Sequence, residues 1–593
     1  MKILFSEDKK HILFLHQTPQ EYKALGKFPA FVHKSIYFAC DACKPVAFNV
    51  VNRVFAKFKN VVVSEEVNAW LNTPFKLAPI PEWFKYHTRP KDFQEIALRY
   101  LHTLGSAGVL LDPGMGKSKV VLDYIFLRGF KKSIIVCPKA LLFVWEDEIE
   151  KHRPELSFYT VQSTDWEAER AGILAAQVVI INYNKATLFK FQLKSIQAEF
   201  LHLDEFLIKD PSTERTKSLT ELSKAIPFKA GGSGTLVNNT PLDIFSPVRF
   251  LQPSLVGFSY TNFKNRYSVQ KDVKDRGSKI VVGYRDLPEV KAILESCSIV
   301  MTKEQWLKLP DKKFIDIRVQ MREDQKTAYY GLLSNRRLAV DNFEIRADNP
   351  LVALAKLYQI SNGFIYLNEG DDEDPSIRDL LPEETSGEKR KKPKKRIGTF
   401  FFEDQPKLDA LRKLITQTLP SGRRGMIWFN MEAEYELISS LLTELGETFL
   451  VIKGGEKNTG TKVRSFNKDP SIRWLLCQAK SVNYGITVMG SKPEDLDKES
   501  AEVIPDLDSS VFTQIFYSLN FSLEVYLQQQ DRTHRIGQEH ECEYYRLFCN
   551  SPVETRIFQI ISEKMSLKKE MLVDVAESIF SNPELIQEEP ALN

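Results

Sequence analysis

Short runs of aliphatic and β-branched residues alternate, from about residue 105, with longer stretches whose apolar positions recur at helical spacing. AGVLL precedes KSKVVLDYIFLRG, SIIVCP precedes ALLFVWEDEIEKH, and VVIINY leads into a mixed stretch. An unbroken apolar run fits a strand covered on both faces, and a helical segment after each run implies a parallel sheet. A second series begins near residue 425 with GMIWFN, FLVIKG, RWLLC, FTQIFYSL and YYRLFC. The pattern predicts an α/β protein with two lobes.

Between the two series the strand rhythm fades. Residues 259–365 read mainly as helices, as in EDQKTAYYGLLSNRRLAV and PLVALAKLYQISNG. Residues 368–397 are poor in apolar residues and carry an acidic run, Asp371 to Asp374, followed by KRKKPKKR from Lys389 to Arg396. Such blocks are solvated and mobile as a rule; a nuclear-localisation or phosphate-binding patch is the alternative. Gly490–Ser510 reads as an exposed insertion. The expected division is a small α+β accessory domain over 1–80 and a first lobe over 81–258. Helical insertions and a charged linker follow over 259–400, then a second lobe over 401–580 and a tail over 581–593.

The 593 residues exceed what one hydrophobic core supports, in keeping with several domains. With 43% hydrophobic and 27% charged residues the composition is that of an ordinary globular protein. No uncharged apolar run reaches the roughly 18 residues of a membrane span, and MKILFSEDKK meets charge before a signal core could form. An intracellular, soluble protein is expected. Seven scattered cysteines form no disulfide framework, and Cys40–Cys43 has no second pair to complete a zinc site. A formal net charge of +3 does not announce nucleic-acid binding; local pattern has to decide.

The segment GVLLDPGMGKSKVVLDYI sets a glycine-containing turn, with Gly114 and Gly116, between a strand and a helix. That is the setting of a phosphate loop. Backbone N–H groups at the helix start wrap an anion, Lys117 reaches the β- and γ-phosphates, and the Ser118 hydroxyl is a magnesium ligand. Leu111 stands where such loops usually begin with glycine. Downstream, EFLHL runs into Asp204 and Glu205, where a second strand of such a fold presents an acidic pair. Asp204 suits the magnesium shell and Glu205 suits the attacking water. The ligand expected is a nucleoside triphosphate with its metal, Mg2+.

DEFLIKDPSTERTKSL resembles the DEAH-box segment of the Swi/Snf-related ATPases of helicase superfamily two, with Lys209, Ser212 and Leu219 also at family positions. QQQDRTHRIGQ, residues 528–538, is similar to the sixth motif of that family almost residue for residue, including Gln528, Gly537 and Gln538. RPKDFQEIALRYL, VCPKALLFVWEDEIEK, GGSGTLVNN, QISNGFIY, QPKLDALRKLI and CQAKSVNYGITV resemble further family segments in the family's order. The resemblance covers roughly residues 85–575. It departs at Leu207, in place of the DEAH histidine, at Leu236, in place of the SGTP proline, and at SVNYG, in place of a glycine-rich turn.

The resemblance implies two RecA-like lobes and a DNA-dependent ATPase that translocates on duplex DNA. It implies an adenine contact for Gln94, nucleotide contacts for Gln528, and γ-phosphate stabilisation by Arg532 and Arg535. Ser233, Gly234 and Thr235 become a coupling element. Pro138, Lys139, Ser481 and Gly485 become sequence-independent contacts to duplex or branched DNA. Remodelling of forks, junctions or protein–DNA complexes in repair, recombination or replication is the expected output, branch migration included. A strand-separating helicase and a nucleotide-gated scaffold without DNA-stimulated turnover are the alternatives.

Overall fold

The computed structural model describes residues 2–5, 11–15, 32–34, 37–41, 49, 61–72, 75–234, 240–257, 259–272, 279–340, 343–347, 349–368, 396–454, 459–481, 488, 510–535, 538–563 and 565. It divides into two units, Met1–Trp306 with Leu567–Asn593, and Leu307–Ser566.

The first unit opens with a small sheet of β1 (Lys2–Phe5), β2 (His11–Leu15), β3 (Val32–Lys34), β4 (Tyr37–Asp41) and β5 (Val62–Val63), in the order β3-β4-β2-β1-β5. Helix α1 (Glu65–Asn72) follows, with Val67 buried near Ile3, Ile12 and Phe14.

Seven parallel strands then build the main sheet of this unit: β6 (Ser106–Leu111), β7 (Ser133–Cys137), β8 (Phe158–Thr160), β9 (Val178–Asn182), β10 (Phe200–Asp204), β11 (Phe228–Gly232) and β14 (Ser298–Met301). Their order is β14-β6-β11-β10-β7-β9-β8. β6, β7, β9 and β10 are buried at every position, which is why their sequences are apolar almost without a break. Helices α2 (Asp92–Leu104), α3 (Lys117–Arg128) and α4 (Leu142–His152) carry segments used by the site. α3 is buried on most of its surface. Its two buried charges, Lys119 and Asp123, pair with each other at 2.8 Å, and Asp123 also pairs with Arg153 beyond the end of α4 at 2.7 Å.

The stretch expected to be mainly helical also holds strands. β12 (Ser268–Asp272) and β13 (Lys279–Tyr284) form a hairpin, and β14 is the edge of the first sheet, beside β6. β15 (Lys312–Val319) is the edge of the second sheet. β14 is only four residues long and β15, KKFIDIRV, alternates half-buried with exposed positions. Neither shows the long apolar run of a central strand. The helix Glu323–Asn335 stops because Arg336 adopts φ 57°, and RLAV becomes β16 (Arg337–Val340), paired with β17 (Phe343–Arg346).

The second unit adds β18 (Phe364–Asn368), paired with β19 (Arg396–Phe401), and then β20 (Gly425–Phe429), β21 (Phe449–Ile452), β22 (Trp474–Gln478), β23 (Thr513–Phe516) and β24 (Cys542–Cys549). The parallel order is β15-β24-β23-β20-β22-β21. Two parallel sheets flanked by helices are the α/β architecture expected. Beneath the second sheet, Lys407 of α5 (Pro406–Lys413) is buried; its Nζ donates to Asn362 Oδ1 at 2.9 Å and pairs with the buried Glu554. The acidic run, the KRKKPKKR run apart from Arg396, and residues 490–509 lie outside the described residues. Among the described residues no helix is long and apolar enough to cross a membrane.

Candidate nucleotide site and the arginine segment

Strand order places the first site. β11 lies between β6 and β10, so the segments that follow these three strands emerge side by side at the carboxyl edge of the sheet, where parallel α/β folds bind ligands.

After β6, residues 112–116 turn into α3. Gly114 and Gly116 have φ of 84° and 79°, a region that costs a residue with a side chain about 1–2 kcal/mol. A Cβ on Gly116 would also stand 2.3 Å from Gln94 Nε2. Gln94, in the first turn of α2, accepts from the Lys91 N–H at 3.0 Å through Oε1 and donates to the Met115 carbonyl at 2.9 Å through Nε2. The structure thus gives Gln94 a place against the phosphate loop itself. Lys117 folds back over the turn, its Nζ donating to the Leu111 carbonyl at 3.1 Å, and Ser118 follows half-buried. Leu111 is the fully buried last residue of β6 and Asp112 is tied to a later segment, its Oδ2 accepting from the Lys303 N–H at 2.9 Å.

β10 ends in Asp204, and the chain turns sharply: Glu205 and Phe206 have φ of 61° and 40°. Two successive non-glycine residues in the left-handed region hold about 2–4 kcal/mol of backbone strain, a concentration typical of functional turns. Asp204 is buried. Its Oδ2 accepts from Trp145 Nε1 at 3.0 Å and its carbonyl from the Tyr183 hydroxyl at 2.7 Å. Burial first, and then the Glu205 charge, push the Asp204 carboxyl well above the usual carboxylate range, while Lys117 and the Trp145 donor act the other way. Such a carboxylate is short of positive charge.

β11 closes the gap. Gly232 pairs with Asp204 in register, and a Cβ there would come 3.4 Å from Lys117 Cδ and 3.7 Å from Asp204 Oδ1. The phosphate-loop lysine and the acid therefore converge over one glycine. Ser233 Oγ is 3.5 Å from Glu205 Oε2, a long contact, and a Cβ on Gly234 would meet Pro113 Cδ at 2.4 Å. Ser233 and Gly234 are thereby held against both the acidic turn and the phosphate loop. Thr235 lies outside the described residues. Leu207, the residue in place of the DEAH histidine, packs on the core of the unit and donates its N–H to the Tyr183 hydroxyl at 3.3 Å.

Oxygen donors of the kind that Ser118, Asp204 and Glu205 carry suit a hard divalent cation such as Mg2+. Among the described residues no group of three or more His, Cys, Asp or Glu side chains could by itself hold a metal ion. Cys43 of the CxxC pair lies outside the described residues. Of the DNA-contact candidates in this unit, Pro138 is buried and Lys139 is exposed where β7 gives way to a short turn.

The second unit is considered by itself. Helix α6 (Leu523–Gln530) leads into Asp531–Arg535. Gln514 of β23 fixes the turn, its Nε2 donating to Thr533 Oγ1 at 2.8 Å and to the Gln529 carbonyl at 3.1 Å, while Trp428 Nε1 donates to its Oε1 at 2.8 Å. Arg532 is 3% exposed and lies close enough to Cys477 for its charge to oppose the upward shift that burial imposes on that thiol. Arg535 is half-buried and its Nε donates to the Asp531 carbonyl at 2.6 Å. The two arginines occupy different settings, one inside and one nearer the surface. Gln528 is buried on α6, its Nε2 3.4 Å from Glu524 Oε1. Ser481 donates to Gln478 Oε1 at 2.8 Å; Gly485 and Gly537 lie outside the described residues.

Two residues escaped the sequence reading. Trp145 sits inside the segment VCPKALLFVWEDEIEK and Tyr183 ends VVIINY, and neither was singled out within its segment. The signal that would have found them is their hydrogen-bonding end: a buried indole N–H or phenol needs a partner.

Comparison with known proteins finds relatives in both sequence and structure. The chain is 22% identical over 505 residues to an uncharacterized ATP-dependent helicase of Mycoplasma genitalium, covering 82% of this chain and 42% of that one. It is likewise 22% identical over 513 residues to the ISWI chromatin-remodeling complex ATPase of Saccharomyces cerevisiae, covering 83% and 41%. The chain thus spans about two fifths of the length of these relatives. Among solved structures, the Sulfolobus solfataricus SWI2/SNF2 ATPase core in complex with dsDNA is 20% identical at a TM-score of 0.37, covering 86% of this chain and 98% of that one. The model of the SNF2-related domain matches residues 12–363, more than half of the 593 residues, and the chain belongs to that family.

Proposed function

We propose that this protein is an ATP-dependent motor on double-stranded DNA. The observation that carries the reading is the convergence of Lys117, Asp204 and the strained Glu205 turn around Gly232, which joins a phosphate cradle to a carboxylate pair. A site that only binds nucleotide has no use for that pair. Membership of the SNF2-related family and the relatives' names support the same reading.

In the proposed cycle the turn at 112–116 and the start of α3 cradle the phosphates, and Lys117 neutralises the β- and γ-phosphoryl oxygens. Mg2+ bound by Ser118 and Asp204 would supply charge neutralisation between the phosphates. Glu205 orients the attacking water and accepts its proton. Gln94 contacts adenine while keeping its hold on the loop, and Gln528 is a further nucleotide-binding residue. Arg535 and Arg532 stabilise the charge on the γ-phosphoryl group in flight. Ser233, Gly234 and Thr235 relay the state of Glu205 toward the DNA. Pro138, Lys139, Ser481 and Gly485 hold the duplex through its phosphates, so binding is independent of sequence and weakens with salt. The output favoured is remodelling of forks, branched junctions or protein–DNA complexes in repair, recombination or replication, in a bacterial-type cytoplasm.

The test is ATP turnover without DNA and with single-stranded, duplex and forked DNA, beside Lys117→Ala and Glu205→Gln. Stimulation by duplex or forked DNA that both substitutions abolish is the expected result. Turnover indifferent to every nucleic acid would replace the motor with a nucleotide-gated scaffold, and displacement of an unannealed strand would make it a strand-separating helicase.

A further inference from the structure

We propose that Trp145 and Tyr183 are positioning residues for the acidic turn: Trp145 selects which oxygen of Asp204 faces the nucleotide, and Tyr183 holds Glu205 in place. The proposal deepens the ATPase reading and rests on it.

Trp145, on α4, is 2% exposed and donates its only N–H to Asp204 Oδ2. Its ring is kept in place by an edge contact with His202, 5.4 Å between centroids at 63°. The other oxygen, Oδ1, is the one directed toward Gly232 and Lys117. The indole thus ties down one oxygen and leaves its partner facing the phosphate loop. A carboxylate able to spin would offer a cation a poorly oriented ligand; hydrogen bonds of this outer kind carry 10- to 100-fold in metal affinity as a rule.

Tyr183 follows β9 directly and does something different. Its single hydroxyl donates to the Asp204 carbonyl at 2.7 Å and accepts from the Leu207 N–H at 3.3 Å, so it bridges the turn from one end to the other. Between those ends lie Glu205 and Phe206, both in the left-handed region. Without the bridge the tie between residues 204 and 207 through one hydroxyl is lost, and the turn can relax toward ordinary backbone angles. Glu205 would swing with it. The Tyr183 ring is itself fixed by the Arg215 guanidinium, 5.6 Å from its centroid. Tyr183 also spans the point where this chain has Leu207, whose side chain offers no hydrogen bond of its own.

The two assignments predict separate signatures in the full-length protein. Trp145→Phe should raise the Mg2+ concentration for half-maximal ATP turnover about 10-fold or more, with kcat recovering to within about threefold at excess Mg2+. Tyr183→Phe should leave the Mg2+ requirement and KM for ATP within about twofold and lower kcat about 10- to 100-fold, as expected of a misplaced general base. Binding of a fluorescent ATP analogue, titrated with Mg2+ in the absence of turnover, gives a readout that does not depend on hydrolysis. There Trp145→Phe should shift the Mg2+ dependence and Tyr183→Phe should not. Unfolding temperatures of both variants within a few degrees of the parent establish that the fold is kept. Unaltered Mg2+ dependence in Trp145→Phe, or equal losses of every parameter in both variants, would overturn the proposal. A parent protein without ATP turnover would instead sink the motor reading, and the binding titration would still decide the role of Trp145.

Discussion

Neighbouring glycines on β11 should respond to alanine in opposite ways. A Cβ on Gly231 would lie 1.7 Å from Phe206 Cζ, and two further ring atoms would be within 2.3 Å. Phe206 is fully buried, packs edge-on against Phe250 at 6.3 Å, and is the second of the two left-handed residues of the acidic turn. It cannot yield without moving that turn. Overpacking of this kind costs about 1–3 kcal/mol, and expelling the ring from the core would forfeit about 1.5–3 kcal/mol of burial. Gly231→Ala should therefore destabilise the first unit by about 2–4 kcal/mol, a fall of roughly 3–6 °C in unfolding temperature at the slope usual for a unit of this size. At Gly232 the nearest atoms to a new Cβ are at 3.4 Å, an ordinary contact, and the unfolding temperature of Gly232→Ala should stay within about 2 °C of the parent. Differential scanning fluorimetry of both variants reads this directly. In turnover, Gly231→Ala should lose about 100-fold in kcat through displacement of Glu205, and a second substitution, Phe206→Leu, should restore part of the stability by vacating the space. Equal unfolding temperatures for the two alanine variants would refute the idea that Phe206 is wedged between the turn and β11.

Breaking the buried Lys407–Glu554 pair with Lys407→Met should cost the second unit about 3–5 kcal/mol by stranding Glu554, and Lys407→Met with Glu554→Leu should recover most of it in chemical denaturation. His152, whose Nδ1 lies 2.6 Å from Thr88 Oγ1, is pushed down to about 4 chiefly by burial. A depressed histidine contributes stability above its unfolded value, lost as pH falls through the folded one. Stability of the first unit should therefore decline between about pH 6.5 and 4, and His152→Gln should flatten that limb in unfolding measured across pH. Arg535→Ala should lower turnover at least 100-fold with little change in unfolding temperature, whereas Arg532→Ala, at a 3% exposed position, should lower both.

Much of the first site could be read from residues in order, because a phosphate loop and an acidic strand end are local patterns. Lys117 at the head of a helix and Asp204 at the end of FLHLD needed only periodicity and chemistry. The buried strands were equally plain, since a strand covered on both faces cannot hide its composition. Edge strands were not: β15 has solvent on alternate positions, and its partner β24 lies at the far end of the sequence. The left-handed turn at Glu205 and Phe206 was invisible because neither residue type announces positive φ. Trp145 and Tyr183 went unnoticed for a related reason, as each meets the acidic turn through one polar atom on a side chain that otherwise packs as hydrocarbon. Gln94 was assigned to adenine, and its grip on Met115 could not be foreseen without the fold of the loop.

The placement of β15 also orders how the chain can be built. The Arg546–Asp316 ion pair, at 2.6 Å, joins residues 230 apart, and the whole β15–β24 ladder spans a comparable interval. The first sheet closes when β14 at Ser298–Met301 reaches β6, long before the ribosome has finished. The second sheet must wait with an unpaired strand until residues 542–549 appear. Closing so long a loop is slow, so during synthesis β15 stands open as an unsatisfied edge, and the second unit completes its sheet only once β24 at Cys542–Cys549 has emerged.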